Sequence, residues 1–320
     1  MKLLAPRTAS VLLGLVIAAT AGSCASSSGG GISGTSLVSG PISAFGSIIL
    51  DGIEFDTTNA VVTIEGDPAE IGDLRLGMFV FVRGKVNDAG TTGVAERIAS
   101  DHLLNGPVDA VNVADGTFTA LDQLVITDAN TVFDQITLDT LAPGDVVEVF
   151  GVLDADASIR ATRVTKIGGP PDFEVTGVIS QIDTAAQTFK IGVLTVDYSQ
   201  AEIENAPTEG LSNGLVVEVG MDDVPVNDFV MATGVEVRTL DVIFDEGDGA
   251  KFRGFITALV SATEFVINHT QHIVINDATT FDHGDQSDIA LNAEVDVEGV
   301  LQSDGTVVAN EVDFLLLPVP

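Results

Sequence analysis

Residues 141–164, "LAPGDVVEVFGVLDADASIRATRV", alternate apolar and polar side chains with the period of a β-strand. Val147 and Val149 fall on one face and Glu148 on the other, the pattern of a strand with one buried side. Gly151 marks a close backbone approach or a bend, and the small polar run "DADAS" supplies the connection to the next strand. In "IRATRV", Ile159 and Ala161 keep period two, but Val164 arrives three residues after Ala161. A β-bulge returns Val164 to the core side while bending the strand, and leaves Thr162 on an outward stretch. A helix also fits an interval of three, but Thr, Val and the flanking Gly favour the strand.

The same skeleton recurs. Four units open at Gly40 ("GPISAF"), Gly106 ("GPVDAV"), Gly177 ("GVISQI") and Gly254 ("GFITAL"). Phe118, Phe189 and Phe265 occupy matching places in the second strand, with Ile48 near that place in unit 1. The regular strands "VFVRG", "VVEVFG", "VVEVG" and "VDVEG" follow, and the phase slip returns at Ala95 with Ile98, Ala232 with Val235 and Ala309 with Val312. Many short strands with close turn signals predict an all-β fold. The expectation is a tandem array of four small OB-like or Greek-key β-barrels, over 39–104, 105–168, 174–239 and 252–317. Connectors such as "KIGGPPDFEV", with Pro170 and Pro171, are expected to keep the units distinct.

Composition changes this picture in two ways. Aromatics are only 5% of 320 residues, with no Trp and a single Tyr, Tyr198, so the cores must be built from aliphatic side chains and Phe. Formal net charge is −34, and the Lys and Arg residues are scattered singly, as at Arg97, Lys190 and Arg253. Nucleic acid is excluded as a partner, because phosphate contacts need a cationic stripe and single strands need stacking aromatics. The acidity reads first as a solvated, aggregation-resistant surface.

The chain opens "MKLLAPRTASVLLGLVIAATAGSC": two cations, then an apolar run over 11–21 too short to span a bilayer, the layout of an export signal over 1–23. Its close, "AGSC", resembles the lipobox of bacterial lipoproteins, although Ala21 stands where that family usually has Leu. The resemblance implies lipid on Cys24, the only cysteine, and attachment to the outer membrane of the cell envelope. Residues 24–38, "CASSSGGGISGTSLV", then read as a flexible tether.

Candidate chemistry is sparse. The four histidines are His102, His269, His272 and His283. A metal site from the last three is conceivable, but strand residues three apart face opposite ways, and exposed loop histidines are the better reading. Among the acid-rich turns, "DEGDGAK" at 245–251 is the most plausible calcium location, yet it lacks the EF-hand series of oxygen ligands. No phosphate-binding loop, nucleophile elbow or triad is present. No catalytic, cofactor-binding or metal-ligating residue is assigned, and no enzyme and no cofactor are expected.

The stretches "GPISAFGSIILDGIEFDT" and "GDVVEVFGVLDADASIRATRV" resemble a bacterial family known only as domain-of-unknown-function family 5666, whose members carry tandem copies in exported proteins and lipoproteins. The resemblance implies a secreted β-barrel array and supplies no activity. The expected function is a non-enzymatic interaction or spacer protein of the cell envelope, held to the membrane through Cys24 and meeting an envelope protein or glycan. The alternative is a module binding calcium or a glycan.

Overall fold

The computed structural model describes residues 32–168, 172–238 and 244–315. Cys24, the leader, residues 24–31 of the tether and the Pro170–Pro171 pair lie outside the described residues, whereas residues 34–38, expected as flexible tether, belong to the strand Gly34–Pro41, with Leu37 and Val38 buried. The protein is all-β: short strands make up repeated β-rich units, and the helical segments among the described residues are three short 3-10 turns. None of the described helices is long and apolar enough to cross a membrane.

Unit 2 shows the pairing scheme. Its opening strand, Leu104–Asn112, pairs antiparallel with Thr117–Ala120, which pairs with Gln123–Ile126. That strand runs parallel to the closing strand Ile159–Lys166, which pairs antiparallel with Val146–Leu153, and this last returns to the opening strand. The circuit is therefore complete. Unit 4 repeats it through Gly249–Ser261, Glu264–Ile267, Gln271–Val274, Val307–Phe314 and Glu294–Leu301. Unit 1 repeats it with its first link reduced to a single bridge, Ala44 to Ile49. In unit 3 the closing strand is split into Phe229–Met231 and Gly234–Val237. Phe118, Phe189 and Phe265 fill the cores, each 1% exposed, and Ile48 does so in unit 1. Burying a side chain of this size contributes about 1.5 to 3 kcal/mol.

The phase slip is a bulge. Phe150 lies opposite Arg163 and Gly151 opposite Ala161, so Thr162 is the extra residue, and Ala161 and Val164 are both buried. Units 1 and 4 do the same, with Gly84 opposite Ala95 and Gly299 opposite Ala309. The glycine is obligatory. A Cβ on Gly84, Gly151 or Gly299 would stand 2.3, 2.1 or 2.4 Å from the carbonyl oxygen of Val94, Arg160 or Val308. The recurrent Thr of the polar segment also has a role here, because Thr131 and Thr279 donate Oγ1 hydrogen bonds of 2.8 Å to the bulge carbonyls of Ala161 and Ala309.

Two expectations need correction. The four units are not discrete, because strand pairing joins them two by two into 13-stranded sheets. The opening strand of unit 1, Gly34–Pro41, lies parallel to that of unit 4, with Ser36 beside Gly249 and Ser39 beside Phe252. The opening strands of units 2 and 3 meet antiparallel at Leu104 and Val175. Cores are shared accordingly: Leu37 packs among unit 4 residues, Phe150 among unit 1 residues, and the cores of units 2 and 3 run together. Thr162, moreover, is no open position. Its Oγ1 is buried, and a Cβ on Gly77 of unit 1 would meet its carbonyl oxygen at 2.6 Å.

Gly151→Ala is expected to destabilise the protein by about 3 kcal/mol through overpacking. Gly220→Ala, at the matching place in unit 3, where the nearest atom to a new Cβ is 3.5 Å away, should cost less than about 0.5 kcal/mol. Urea unfolding of the two variants checks this, and equal losses contradict the role assigned to the glycine.

Candidate functional site

With so few cations in an acidic chain, their positions are informative. Four of them, Arg83, Arg163, Arg238 and Arg253, reach across seams between units. Arg83 of unit 1 reaches Asp245 and Asp248 at 3.3 and 3.4 Å, so the acidic turn considered for calcium is engaged by an arginine. Arg163 of unit 2 pairs with Asp134 and donates to the Leu76 carbonyl of unit 1 at 2.8 Å. Lys251 and Arg253 of unit 4 stand on outward positions of its opening strand. Lys251 Nζ lies 3.2 Å from Asp296 and 2.7 Å from Glu298. Arg253 binds Glu294 at 2.7 Å and approaches Asp51 of unit 1 at 3.5 Å.

The densest junction surrounds His102, which is 4% exposed and joins units 1, 2 and 3. Its Nδ1 lies 2.8 Å from Glu65 Oε1 and its Nε2 3.0 Å from Glu174 Oε2. Glu148 of unit 2 stands 4.0 Å from Nδ1, and the ring meets Phe150 edge-on at 6.2 Å. Glu65 follows the strand Val61–Ile64 in a left-handed turn (φ 52°), which aims it at the junction. On its far side, Arg238 of unit 3 binds Glu65 Oε2 at 3.1 Å, pairs closely with Glu218, and lies 3.8 Å from Glu236 and 3.9 Å from Asp101. Burial pushes the His102 imidazole down, but Glu65 and Glu174 outweigh it and hold it well above its ordinary value. Burial pushes Glu218 up to about 7 against the pull of Arg238. Glu65 is held below the usual range, because His102 and Arg238 outweigh its burial.

Two groups bring possible metal-ligating atoms within 4.8 Å of one another among the described residues: Glu65, His102 and Glu174, and Asp282, His283 and Asp313. In the first, carboxylates occupy both edges of the imidazole, which makes it an ion-pair hub. In the second, His283 Nδ1 contacts Asp313 at 2.7 Å on an exposed surface. His269, His272 and His283 do not converge. His269 Nε2 contacts the Asp154 carbonyl at 2.6 Å, linking unit 4 to unit 2, and His272 pairs with Glu264 at 2.9 Å. Only His272 and His283 are the exposed histidines that the sequence suggests. His102 and its partners were missed, because the residues that meet there lie in three different units.

These features define an all-β repeat protein whose units are joined by shared strands and buried ionic seams. The sequence model of the family described as "Domain of unknown function (DUF5666)" matches residues 38–99, 105–165 and 253–313, more than half of the chain, and the protein belongs to that family. The match passes over unit 3, the unit with the split closing strand and the unconstrained Gly220. No curated protein matches the chain. A solved structure titled "drosophila Unr CSD456" is similar at 13% identity, over 68% of this chain and 98% of that one, with a TM-score of 0.17, too low to carry an argument.

His102→Ala is expected to cost about 3 to 5 kcal/mol, since it removes the cation between Glu65 and Glu174 and leaves Arg238 alone to compensate the carboxylates around it. Urea unfolding measures it, and a loss below about 1 kcal/mol contradicts the hub. The unit 1–4 seam predicts a pH dependence. Burial, aided by Asp51, pushes Asp296 up to about 7, well above the about 3.9 of an unfolded Asp. Folding therefore takes up a proton between these values, and the contribution of Asp296 to stability falls as pH rises through that window. Asp296→Asn, fixed in the neutral form, should flatten the fall in melting temperature between about pH 5 and pH 7. An unchanged slope in thermal melts would refute this assignment.

Proposed function

We propose that the protein is an exported, non-enzymatic structural or interaction protein of the bacterial cell envelope, anchored through lipid on Cys24. In this reading each pairing circuit is an OB-like barrel, and the four act as one rigid block rather than as beads on a string. The observation that carries the reading is the parallel pairing of Gly34–Pro41 with the start of Gly249–Ser261, which welds the first unit to the last. The ionic seams support it, because Arg83, Arg238 and Arg253 each reach a carboxylate of another unit. A rigid spacer or platform needs this resistance to bending, and the acidic exterior keeps such a block soluble and repels polyanions.

Two measurements test the two halves of the reading. Small-angle scattering of the Cys24→Ala chain should give a radius of gyration of about 20 Å for a compact body of this size. A value above about 25 Å would indicate a string of separate units. In cell fractionation, Cys24→Ala should move the protein from the membrane to the soluble fraction, and retained membrane association would remove the anchor.

A further inference from the structure

Three apolar residues point outward from their own units and meet at one place. Phe79 of unit 1, Val152 of unit 2 and Phe255 of unit 4 pack into a small cluster of their own, 7%, 9% and 6% exposed. Beside this cluster lies a cavity of about 430 Å³, within the size range that holds small organic molecules, and at a junction between folded units, where such sites are common. Its unit 2 wall is a row in register across three strands, Ile126 beside Arg160 and Arg160 beside Val152. Leu76, 40% exposed, is also in the lining.

The polar part of the lining is unusual for this protein. Among its lining residues Arg160 and Arg253 stand against Asp128 and Glu294, an even count in a chain of formal charge −34. Arg253 is committed to Glu294 and Asp51. Asp128 Oδ1 accepts from the backbone N–H groups of Asn130 and Thr131. Arg160 is different. Its Nε donates to Asp154 at 2.8 Å and its guanidinium lies over the Phe255 ring, 5.1 Å from the centroid. Among the described residues nothing accepts from its Nη1 or Nη2. A guanidinium fixed at Nε and stacked on a ring presents its remaining N–H fork ready for a planar anion.

We propose that this cavity binds a small, flat, largely apolar molecule carrying one carboxylate or similar anion. Its ring lies against Phe79, Val152 and Phe255, and its anion meets the Nη1–Nη2 edge of Arg160. This goes beyond the envelope role and does not depend on it, since the site is complete in the folded chain wherever the protein resides. Selectivity follows from the wall: an apolar body is required by the three-unit cluster, and the anion is required by the one uncommitted guanidinium edge.

The probes are 2-naphthoate and its neutral counterpart 2-naphthalenemethanol, titrated calorimetrically into the full chain. The expected result is 1:1 binding of the naphthoate with Kd below about 1 mM, and binding of the alcohol at least about tenfold weaker. Arg160→Gln should bring the two ligands within about twofold of each other. Arg160→Lys, which keeps the charge beside Asp154, should retain part of the preference. Leu76→Trp, a substitution at a partly exposed position, should fill the mouth and weaken both ligands at least about tenfold while circular dichroism stays unchanged. No saturable binding of either probe overturns the proposal. So does an undiminished preference for naphthoate in folded Arg160→Gln, or undiminished binding of both probes in folded Leu76→Trp.

Discussion

Closure of these units rests on one contact, the approach of a glycine to the carbonyl oxygen of a bulged closing strand. At Gly84, Gly151 and Gly299 there is no room for a methyl group. The missing side chain lets the two backbones come together, the extra residue bends the strand, and the bend carries it from one neighbour to the other around the circuit. Where the constraint lapses, in unit 3, the closing strand breaks into two pieces, and the family signature is lost with it.

The second organising fact is electrostatic. An acidic surface alone would push four units apart, yet these units share buried seams. A few cations placed between carboxylates from different units convert repulsion into attachment, and His102 and Arg238 do this for three units at once. Each such group is costly to bury unless its partners are in place. The seams therefore specify how the units sit together as much as they stabilise the assembly.

Sequence periodicity made the interior of each unit legible. Val147, Val149, Ala161 and Val164 face inward as the alternation and its slip require, and the repeated Phe fills the core. What covers the outward faces was not legible. Glu65 and Arg238 are separated by 173 residues, and period two says only that a side chain points away from its own core. One signal was present all the same. Phe79, Phe150, Val152 and Phe255 are apolar at outward positions, where a free-standing unit would place polar groups. Arginines and lysines on regular strands of an otherwise acidic protein carried the same message. Read together, they mark faces that another unit must cover.

The parallel pairing of the first and last opening strands has a consequence for how the chain reaches its final form. The edge of Gly34–Pro41 that faces unit 4 stays unsatisfied until residues more than 200 positions later have emerged and found it. Such non-local closure is slow, and an open strand edge is a template for pairing with other chains. A chain delivered from its N-terminus thus passes through a stage in which its first unit is formed but uncapped. The last unit serves as the built-in cover for the first, and a chain that stops short of it is left adhesive.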